Sequence, residues 1–501
     1  MLRGICARDE QGKSAPGAQA GYARREPEKT VLYKVIQEHL ESFLAEYPGL
    51  PAYVVEEFRS YLDCGILARG HVLLKCGVCG REAAVAFSCK GRTFCPSCLT
   101  RRMHATAMDL EGRVLPVAAY RHWVLAFPMQ VRFHLARDEE LLGKLRQIFV
   151  RAVHTWLRAK ARKMGVARPL TGAVAFTQRF SSRLMLYPHV HCVIPDGVFA
   201  QGEDGKLVFH ELRPKDEDVA KIAKRIAKRS HRLLATLEEI DPDALDQVRG
   251  QAIQGELALK IVPVEAVEEV KGRLLANVEG FSLQAQRRLH QSDRRGLEFL
   301  LRYVLRPPFA LERMRQLPSG KIELGLKRPL GNGLATIELT PMALLRRLAS
   351  IVPPPGSHDT SYFGVFAAHS KWRRQLVRPR RKDPEDCQTH PGLEERDGPV
   401  VDVTQENSAP ESEEPDEPYI PWAKLLKHVF GIDALRCECG GRMVVKQYVT
   451  AEEKIRQNLE RLGLWEEPPK VANAREPAQV DHFDLPSFCD GVDPPAPDDV
   501  A

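Results

Sequence analysis

Apolar residues recur along this 501-residue chain at two spacings, one typical of helices and one typical of strands. Apolar positions three and four residues apart predict helices over 31–62 and 141–163. Shorter apolar runs bounded by turn residues predict strands over 120–128, 171–180 and 184–194. This mixture predicts an α+β fold in which a central antiparallel sheet is flanked by helices.

The last of these strands has His189-Val190-His191 at its centre. Residues two apart on a strand point to the same face, so the two imidazoles would lie side by side. Two neutral imidazoles form half of a metal site, although two unrelated polar residues on a solvated face give the same pattern. The preceding strand could pair antiparallel with this one and bring Gln178 beside the histidines, which makes Gln178 our candidate third ligand.

A tyrosine surrounded by arginines lies on a later predicted helix, which begins near Asp293 and cannot continue through Pro307. Tyr303 shares this segment with Arg302 and Arg306, and the last of these is one turn away on the same helix face. A tyrosine among arginines near a metal site indicates phosphate chemistry. The alternative is an aromatic residue that packs in the core.

Four of the twelve cysteines follow the pattern Cys76-x2-Cys79-x15-Cys95-x2-Cys98. This is the two-knuckle spacing of a structural zinc site, in which four thiolates close a tetrahedron around Zn²⁺. The alternative is a set of scattered free cysteines. We therefore predict one structural zinc ion bound by these four residues.

Four other cysteines are harder to assign from their spacing. Cys64 and Cys89 are either buried thiols or replacements for one of the four zinc ligands. Cys437-Glu-Cys439 resembles a further knuckle, but no second clear cysteine pair lies beside it in the sequence. We predict no metal at this last pair.

Residues 361–382 contain seven Lys or Arg and no Asp or Glu, with aromatic residues interleaved. This composition suits single-stranded nucleic acid, whose bases stack on aromatic rings and whose phosphates pair with cations. The alternative is a solvated basic surface. A second positive stretch follows the zinc-binding cysteines. The candidate DNA-binding residues of both stretches are Arg101, Arg102, Lys371, Arg373, Arg374, Arg380 and Arg381.

The net charge of +7 favours a polyanionic partner without proving one. The opening residues have no apolar core typical of a secretory signal, and no apolar stretch is long enough to span a bilayer. We therefore expect a cytoplasmic protein with no membrane partner, whose oligomeric state the sequence leaves open.

Changes in composition predict the domain boundaries. Residues 383–418 hold thirteen acidic residues against one arginine, which is typical of a disordered linker. The predicted parts are a disordered tail (1–28), a zinc-binding DNA-binding domain (29–108), a catalytic domain (115–352), a basic segment (353–382), the linker (383–418), a small C-terminal module (419–465) and a second disordered tail (466–501).

Several short motifs, taken together, resemble the HUH rolling-circle transposases of bacterial insertion sequences, within the IS91-like family. The matching segments occur in the family's order between Cys64 and Met443. They are Phe87-Ser-Cys-Lys90, Phe94-Cys-Pro-Ser-Cys98, Arg302-Tyr-Val-Leu-Arg-Pro-Pro308, Tyr362-Phe-Gly-Val-Phe366 and Lys371-Trp-Arg373. Some relatives carry two tyrosines four residues apart, whereas this chain has Phe299 at the earlier position and so resembles the single-tyrosine branch.

The resemblance implies a bacterial, nucleoid-associated protein with an HUH endonuclease-like catalytic domain that cuts and rejoins single-stranded DNA at transposon ends. Tyr303 would attack the scissile phosphate, assisted by Arg306. Mg²⁺ or Mn²⁺ held by His189 and His191 would stabilise the developing charge. No predicted helix aims another tyrosine, such as Tyr187, at the histidines.

Two other classes of protein remain open from the sequence. One is a rolling-circle replication initiator or relaxase that uses the same chemistry. The other is a zinc-dependent DNA-binding regulator without enzymatic activity. A metallohydrolase is disfavoured because Asp196, the candidate ligand that closely follows His191, lies in the turn after the strand.

Overall fold

The computed structural model describes residues 25–235, 246–249, 271–327, 329, 333, 335–377, 423, 425 and 433–475. Most of the predicted tails 1–28 and 466–501, and all of the predicted linker 383–418, lie outside these residues. The chain divides into two compact units. Among the described residues, the smaller unit includes 67–86 and 433–466, and the larger unit includes 25–66, 87–377 and 467–475.

Helices cover much of the larger unit, and one belongs to the smaller unit. Within the described residues they are α1 (Val31–Glu46), α2 (Ala52–Asp63), α3 (Pro96–Asp109), α4 (Met129–Arg137), α5 (Glu139–Lys163), α6 (Asp216–Leu234), α7 (Arg294–Val304), α8 (Pro341–Ser350), α9 (Arg373–Leu376) and α10 (Glu452–Arg461). The single helical pattern predicted over 31–62 forms two helices because Pro48 and Gly49, with a φ of 90°, interrupt it.

The strands pair antiparallel throughout the described residues. They are β1 (His71–Cys76), β2 (Glu82–Ala86), β3 (Tyr120–Ala126), β4 (Gly172–Phe180), β5 (Leu186–Pro195), β6 (Gly197–Gln201), β7 (Leu207–Glu211), β8 (Lys271–Gly272), β9 (Leu275–Val278), β10 (Phe281–Gln284), β11 (Arg288–Leu289), β12 (Met314–Gln316), β13 (Ile322–Gly325), β14 (Thr336–Leu339), β15 (Thr360–Gly364) and β16 (Met443–Val449). With the helices, they confirm the predicted α+β class.

The largest sheet has the strand order β15-β4-β5-β3-β10-β9-β8, with β11 also paired to β3. Apolar residues on one face pack with α4, α5 and α6 around a core that includes Trp123, Leu125 and Val190. The other face packs against α7 and the end of α3 through residues such as Val193 and Leu300. Both faces are thus covered, which explains why every residue of β3 is buried.

The smaller unit contains a three-stranded sheet with the order β16-β1-β2. Leu73 of β1 and Val449 of β16 pack against Leu459 of α10. Part of the predicted zinc-binding domain 29–108 therefore folds with part of the predicted C-terminal module 419–465. Among the described helices, none combines the length and apolar character that a membrane crossing requires.

Candidate active site

The two strands that carry the predicted metal ligands pair directly. Gln178 of β4 lies opposite His189 of β5 in the antiparallel register, as the sequence predicts. The rings of His189 and His191 lie 4.7 Å apart, and these side chains are only 5% and 1% exposed. Val190 and Cys192, on the opposite face of the strand, pack in the core.

Hydrogen bonds orient both imidazole rings. His189 Nδ1 lies 2.7 Å from the Tyr187 carbonyl oxygen, and His191 Nδ1 lies 2.9 Å from His122 Nε2. Because the Nδ1 atoms are engaged, the Nε2 atoms remain as the candidate metal-binding nitrogens. His191 Nε2 lies 3.3 Å from Gln178 Oε1, so two atoms of the predicted ligand set already face each other.

His122 is a site residue that the sequence analysis missed. It lies on β3 opposite Val193, diagonal to His191, and its side chain is buried. The His122 and His191 rings stack 5.0 Å apart with an interplanar angle of 20°. The sequence does contain a feature that could have identified His122. In Tyr120-Arg-His-Trp123, two polar residues interrupt an otherwise apolar strand.

Burial keeps these histidines neutral. It lowers the pKa of His189 to about 4 and that of His122 to about 3. Burial lowers the pKa of His191 as well, and the positive charge of Arg306 acts in the same direction on all three. Neutral imidazoles retain the lone pair that a metal ion requires.

The helix α7 places Tyr303 against this pair of strands. Asp293 caps the helix by accepting a hydrogen bond from Gly296 N at 2.8 Å, as predicted from the sequence. The Tyr303 ring meets the His191 ring edge-on, with 6.2 Å between the ring centroids. Gln178 Nε2 donates to the carbonyl oxygen of Val304 at 2.7 Å, so one glutamine contacts both His191 and the end of the helix.

Two cations lie over the Tyr303 ring. The guanidinium of Arg306 is 4.3 Å from the ring centroid, and Lys327 Nζ is 4.6 Å away. Arg306 also donates to the Tyr303 carbonyl oxygen at 3.2 Å. Arg302 instead pairs with Glu298 at 3.7 Å. The structure therefore places Arg306 beside the tyrosine as predicted, and adds Lys327, which the sequence did not reveal.

A second tyrosine also lies near the histidines. The ring of Tyr187 is 5.2 Å from the His189 ring, and the guanidinium of Arg132 lies 4.0 Å from the Tyr187 ring centroid. Tyr187 lies on a strand and not on a helix, as expected, yet its ring lies beside His189. The alternation of side chains along β5 places Tyr187 there, because residues two apart on a strand, such as Tyr187 and His189, point to the same face.

Asp196, the candidate ligand of a metallohydrolase, is engaged elsewhere. Its two carboxylate oxygens accept hydrogen bonds from the guanidinium of Arg121, each at 2.8 Å, and Arg288 lies 3.0 Å away. The carboxylate is buried in this arrangement. Removing this carboxylate would leave the guanidinium of Arg121 buried without a counter-charge, which opposes a metal-binding role.

The four predicted zinc ligands do not come together. Cys95 and Cys98 group with Cys64 and Cys89 in the larger unit, whereas Cys76 and Cys79 group with two C-terminal cysteines in the smaller unit. The predicted set of Cys76, Cys79, Cys95 and Cys98 is thus replaced by two sets of four. We call them the first cluster (Cys64, Cys89, Cys95 and Cys98) and the second cluster (Cys76, Cys79, Cys437 and Cys439).

Helix ends position the first cluster. Cys64 caps the C-terminus of α2, Cys95 caps the N-terminus of α3, and Cys98 lies in the first turn of α3. The Cys64 sulfur is 3.7 Å from each of those two sulfurs, and Cys89 Sγ is 3.5 Å from Cys98 Sγ. These spacings approach the edge of about 3.8 Å that a tetrahedron with Zn–S bonds of about 2.3 Å would have. The donor set therefore fits a structural zinc ion.

Two family models match the chain. The model described as "Putative transposase" covers residues 172–374, and the model described as "Transposase zinc-binding domain" covers residues 35–127. The first match contains the histidine strand and α7, and the second contains the whole first cluster. The chain is an IS91-like transposase with an N-terminal zinc-binding domain. No curated protein and no solved structure matches it.

Part of the basic segment of the transposase belongs to the folded core, although its sequence predicts an exposed surface. Residues 360–364 form β15, which pairs with β4 at the edge of the large sheet. Phe366 is fully buried in the core, and Trp372 packs against the same core. Arg373 donates a hydrogen bond to the Phe366 carbonyl oxygen. The prediction that these aromatic residues form an open stacking surface is therefore wrong for Phe366.

The other candidate DNA-binding residues differ in exposure. Lys371 and Arg374 are exposed, whereas Arg380 and Arg381 lie outside the described residues. Arg101 donates to Ser88 Oγ at 3.4 Å, and Arg102 donates to the Lys90 carbonyl oxygen at 2.9 Å. These last two arginines thus support the loop that carries Cys89.

Proposed function

We propose that this transposase nicks and rejoins single-stranded DNA at transposon ends through a phosphotyrosine intermediate formed on Tyr303. The observation that carries the proposal is the edge-on contact between the Tyr303 and His191 rings, 6.2 Å apart although the residues are 112 positions apart in the chain (303 − 191). A tyrosine beside two buried, neutral histidines has the neighbours that a phosphoryl-transfer nucleophile needs.

The donor set fits a hard divalent ion such as Mg²⁺ or Mn²⁺. His189 Nε2, His191 Nε2 and Gln178 Oε1 supply two imidazole nitrogens and one amide oxygen, which leaves positions for phosphate oxygen and water. When bound, this ion would withdraw charge from a non-bridging phosphate oxygen. The hydrogen bond that Gln178 Nε2 donates to the Val304 carbonyl oxygen fixes the orientation of the amide group. Gln178 Oε1 therefore faces His191, which supports its role as the third metal ligand.

The chain's own residues would carry the remaining chemistry. The Tyr303 phenol loses its proton to solvent, and its oxygen forms a bond to phosphorus while the bond from phosphorus to the 3′ oxygen breaks. The products are a 5′-phosphotyrosine and a 3′-hydroxyl that takes up a proton. Arg306 and Lys327, which lie over the ring, would bring positive charge to the phosphate that approaches the tyrosine. The new ester keeps the energy of the phosphodiester, so rejoining needs no ATP.

The decisive experiment compares two tyrosine variants. Each protein is incubated with Mg²⁺ and labelled single-stranded element ends, and covalent adducts are resolved on a denaturing gel. Tyr303→Phe removes one oxygen and should abolish the adduct while DNA binding persists. Tyr187→Phe is the matched control. It removes the oxygen of the tyrosine beside His189 but keeps the oxygen of Tyr303, so it should still form the adduct.

The possible outcomes separate the roles of the two residues. An adduct that survives in Tyr303→Phe but disappears in Tyr187→Phe would assign the nucleophile to β5 and refute the mechanism proposed here. Cleavage without transfer to a second strand would instead favour a replication initiator or relaxase.

A further inference from the structure

The second cluster joins two short turns that are far apart in the sequence. Cys76 Sγ lies 3.6 Å from Cys439 Sγ, and Cys79 Sγ lies 3.6 Å from Cys437 Sγ. The partners in these pairs are 363 and 358 residues apart in the chain. All four sulfurs lie within 4.8 Å of one another. The sequence alone predicts no metal at Cys437 and Cys439, because no second clear cysteine pair lies beside them in the chain.

The two turns are closed by backbone hydrogen bonds that span four and three residues, and each contains a glycine with positive φ. Gly80 N donates to the Cys76 carbonyl oxygen at 3.1 Å, and Gly440 N donates to the Cys437 carbonyl oxygen at 2.9 Å. The φ angles of these glycines are 72° and 85°, a region that side chains with a Cβ rarely adopt. Each turn also aims an amide at sulfur, since Val78 N and Gly441 N each lie 3.4 Å from a cysteine Sγ. Amides that point at sulfur stabilise thiolates.

The sulfur atoms and their neighbours pack so closely around Gly441 that this position has no room for a side chain. A Cβ at this position would lie 2.9 Å from Cys76 Sγ and 2.8 Å from a methyl carbon of Val78. The two turns therefore approach each other closely enough that only glycine fits. Backbone bonds continue this contact, because Gly77 N donates to the Arg442 carbonyl oxygen at 3.1 Å.

Sulfur separations of 3.6 Å exclude two disulfides in this arrangement, because a disulfide bond is about 2.05 Å long. They are close to the edge of about 3.8 Å expected for four thiolates around one Zn²⁺ ion. We propose that the second cluster is a second structural zinc site, which joins β16 and α10 to the hairpin β1–β2. The transposase would then carry two zinc ions, and its C-terminal segment would be part of a zinc-binding fold.

The location of the site explains why such a fold would need a metal ion. Of the seven residues of β16, the inner five are exposed, so this strand buries little apolar surface. The hydrophobic cluster that contains Cys76 and Cys437 adds only Leu74 and Met443 as buried members, and the other cluster of this unit has five buried residues. A core of this size stabilises a fold weakly, and metal binding supplies the missing free energy.

The test uses the full chain, purified in reducing buffer, and counts its zinc by elemental analysis. The parent should hold about two zinc ions, and the Cys437→Ser/Cys439→Ser double variant should hold about one. Cys192→Ala removes a buried cysteine of β5 that belongs to neither cluster and should leave the count unchanged. A parent that holds one zinc ion, with no loss in the double variant, would overturn the proposal.

A second measurement does not depend on the folding of a variant. Cys79 and Cys439 are exposed, so without a metal they should react quickly with an alkylating reagent. In the untreated parent they should be protected, and a zinc chelator should make them reactive. Rapid alkylation before chelation would refute zinc binding at this cluster. Protection that a reductant removes, but a chelator does not, would show disulfides instead and would also refute it.

Discussion

His122 Nε2 lies 2.9 Å from His191 Nδ1 in a stacked pair of buried imidazoles. One of the two nitrogens must donate and the other must accept, because both rings are neutral. For His191 Nε2 to bind a metal ion, His191 Nδ1–H must donate to His122. His122 would therefore act as a positioning residue that selects the metal-binding tautomer of His191.

Replacing His122 tests this role through metal affinity. His122→Phe keeps the ring shape and removes the acceptor, so Mn²⁺ binding should weaken by about 10- to 100-fold. His122→Gln supplies an amide oxygen and should recover part of the affinity. Calorimetric titration with Mn²⁺ measures both. His154→Phe alters another buried histidine, on α5, and serves as the control. Equal Mn²⁺ affinity in the parent and in His122→Phe would contradict the role.

The three proposed metal ligands should not contribute equally. His189→Ala or His191→Ala should reduce Mg²⁺-dependent cleavage by at least about 100-fold, because each variant removes one of the two imidazole nitrogens that would hold the ion. Gln178→Ala should be milder, since a water molecule can take the place of the amide oxygen. Cleavage rates over a range of Mg²⁺ concentrations check this order. Full activity of the His189→Ala/His191→Ala double variant would remove the metal from the mechanism.

Exposed and internal basic residues should respond differently to substitution. Lys371→Ala/Arg374→Ala should weaken single-stranded DNA binding and reduce the slope of log affinity against log salt by about 1 to 2. Arg373→Ala should instead lower thermal stability, because its guanidinium bonds to the carbonyl of the buried Phe366. Fluorescence anisotropy at several salt concentrations measures the slope. A slope that the double variant leaves unchanged would identify this segment as an ordinary solvated surface.

Buried His154 should make the stability of the larger unit sensitive to acid. Burial lowers its pKa to about 4 from an ordinary value of 6.5. The unfolded chain then binds the proton more readily, so this residue destabilises the fold as the pH falls from 6.5 towards 4. Between about pH 7 and pH 4 the parent should lose about 3 kcal/mol more unfolding free energy than His154→Gln. Urea unfolding of both proteins at each pH tests this. Parallel pH profiles would contradict it.

Much of the catalytic domain was predictable from local patterns. The pairing of Gln178 with His189 followed from two short strands joined by a tight connection, and the start of the Tyr303 helix followed from its Asp293 cap. Such features depend on neighbours in the sequence. His122 was not predictable in this way, because its contact with His191 depends on the register of β3 against a strand about 70 residues later.

The cysteine clusters show the limit of spacing arguments. The spacing of four cysteines predicts a single site formed by Cys76, Cys79, Cys95 and Cys98. In the structure, however, the first two of these group with Cys437 and Cys439, and the last two group with Cys64 and Cys89. The aromatic residues near Phe366 misled for a similar reason. Their charged neighbours indicate a surface, whereas Phe366, just after β15, is buried in the core and Tyr362 on β15 stays exposed. In both cases a contact between distant segments overrides the local pattern.

The wide separation of the second cluster's cysteines has a consequence during synthesis. The first cluster is complete within a few seconds of the ribosome adding Cys64, because Cys98 follows only 34 residues later. Cys79 must wait for Cys437, 358 residues on, which takes about 20 to 70 s at elongation rates of roughly 5 to 20 residues per second. During that interval the nascent chain presents two unpaired thiols at Cys76 and Cys79. A transposase molecule whose translation stops early would keep its first zinc ion but never acquire the second.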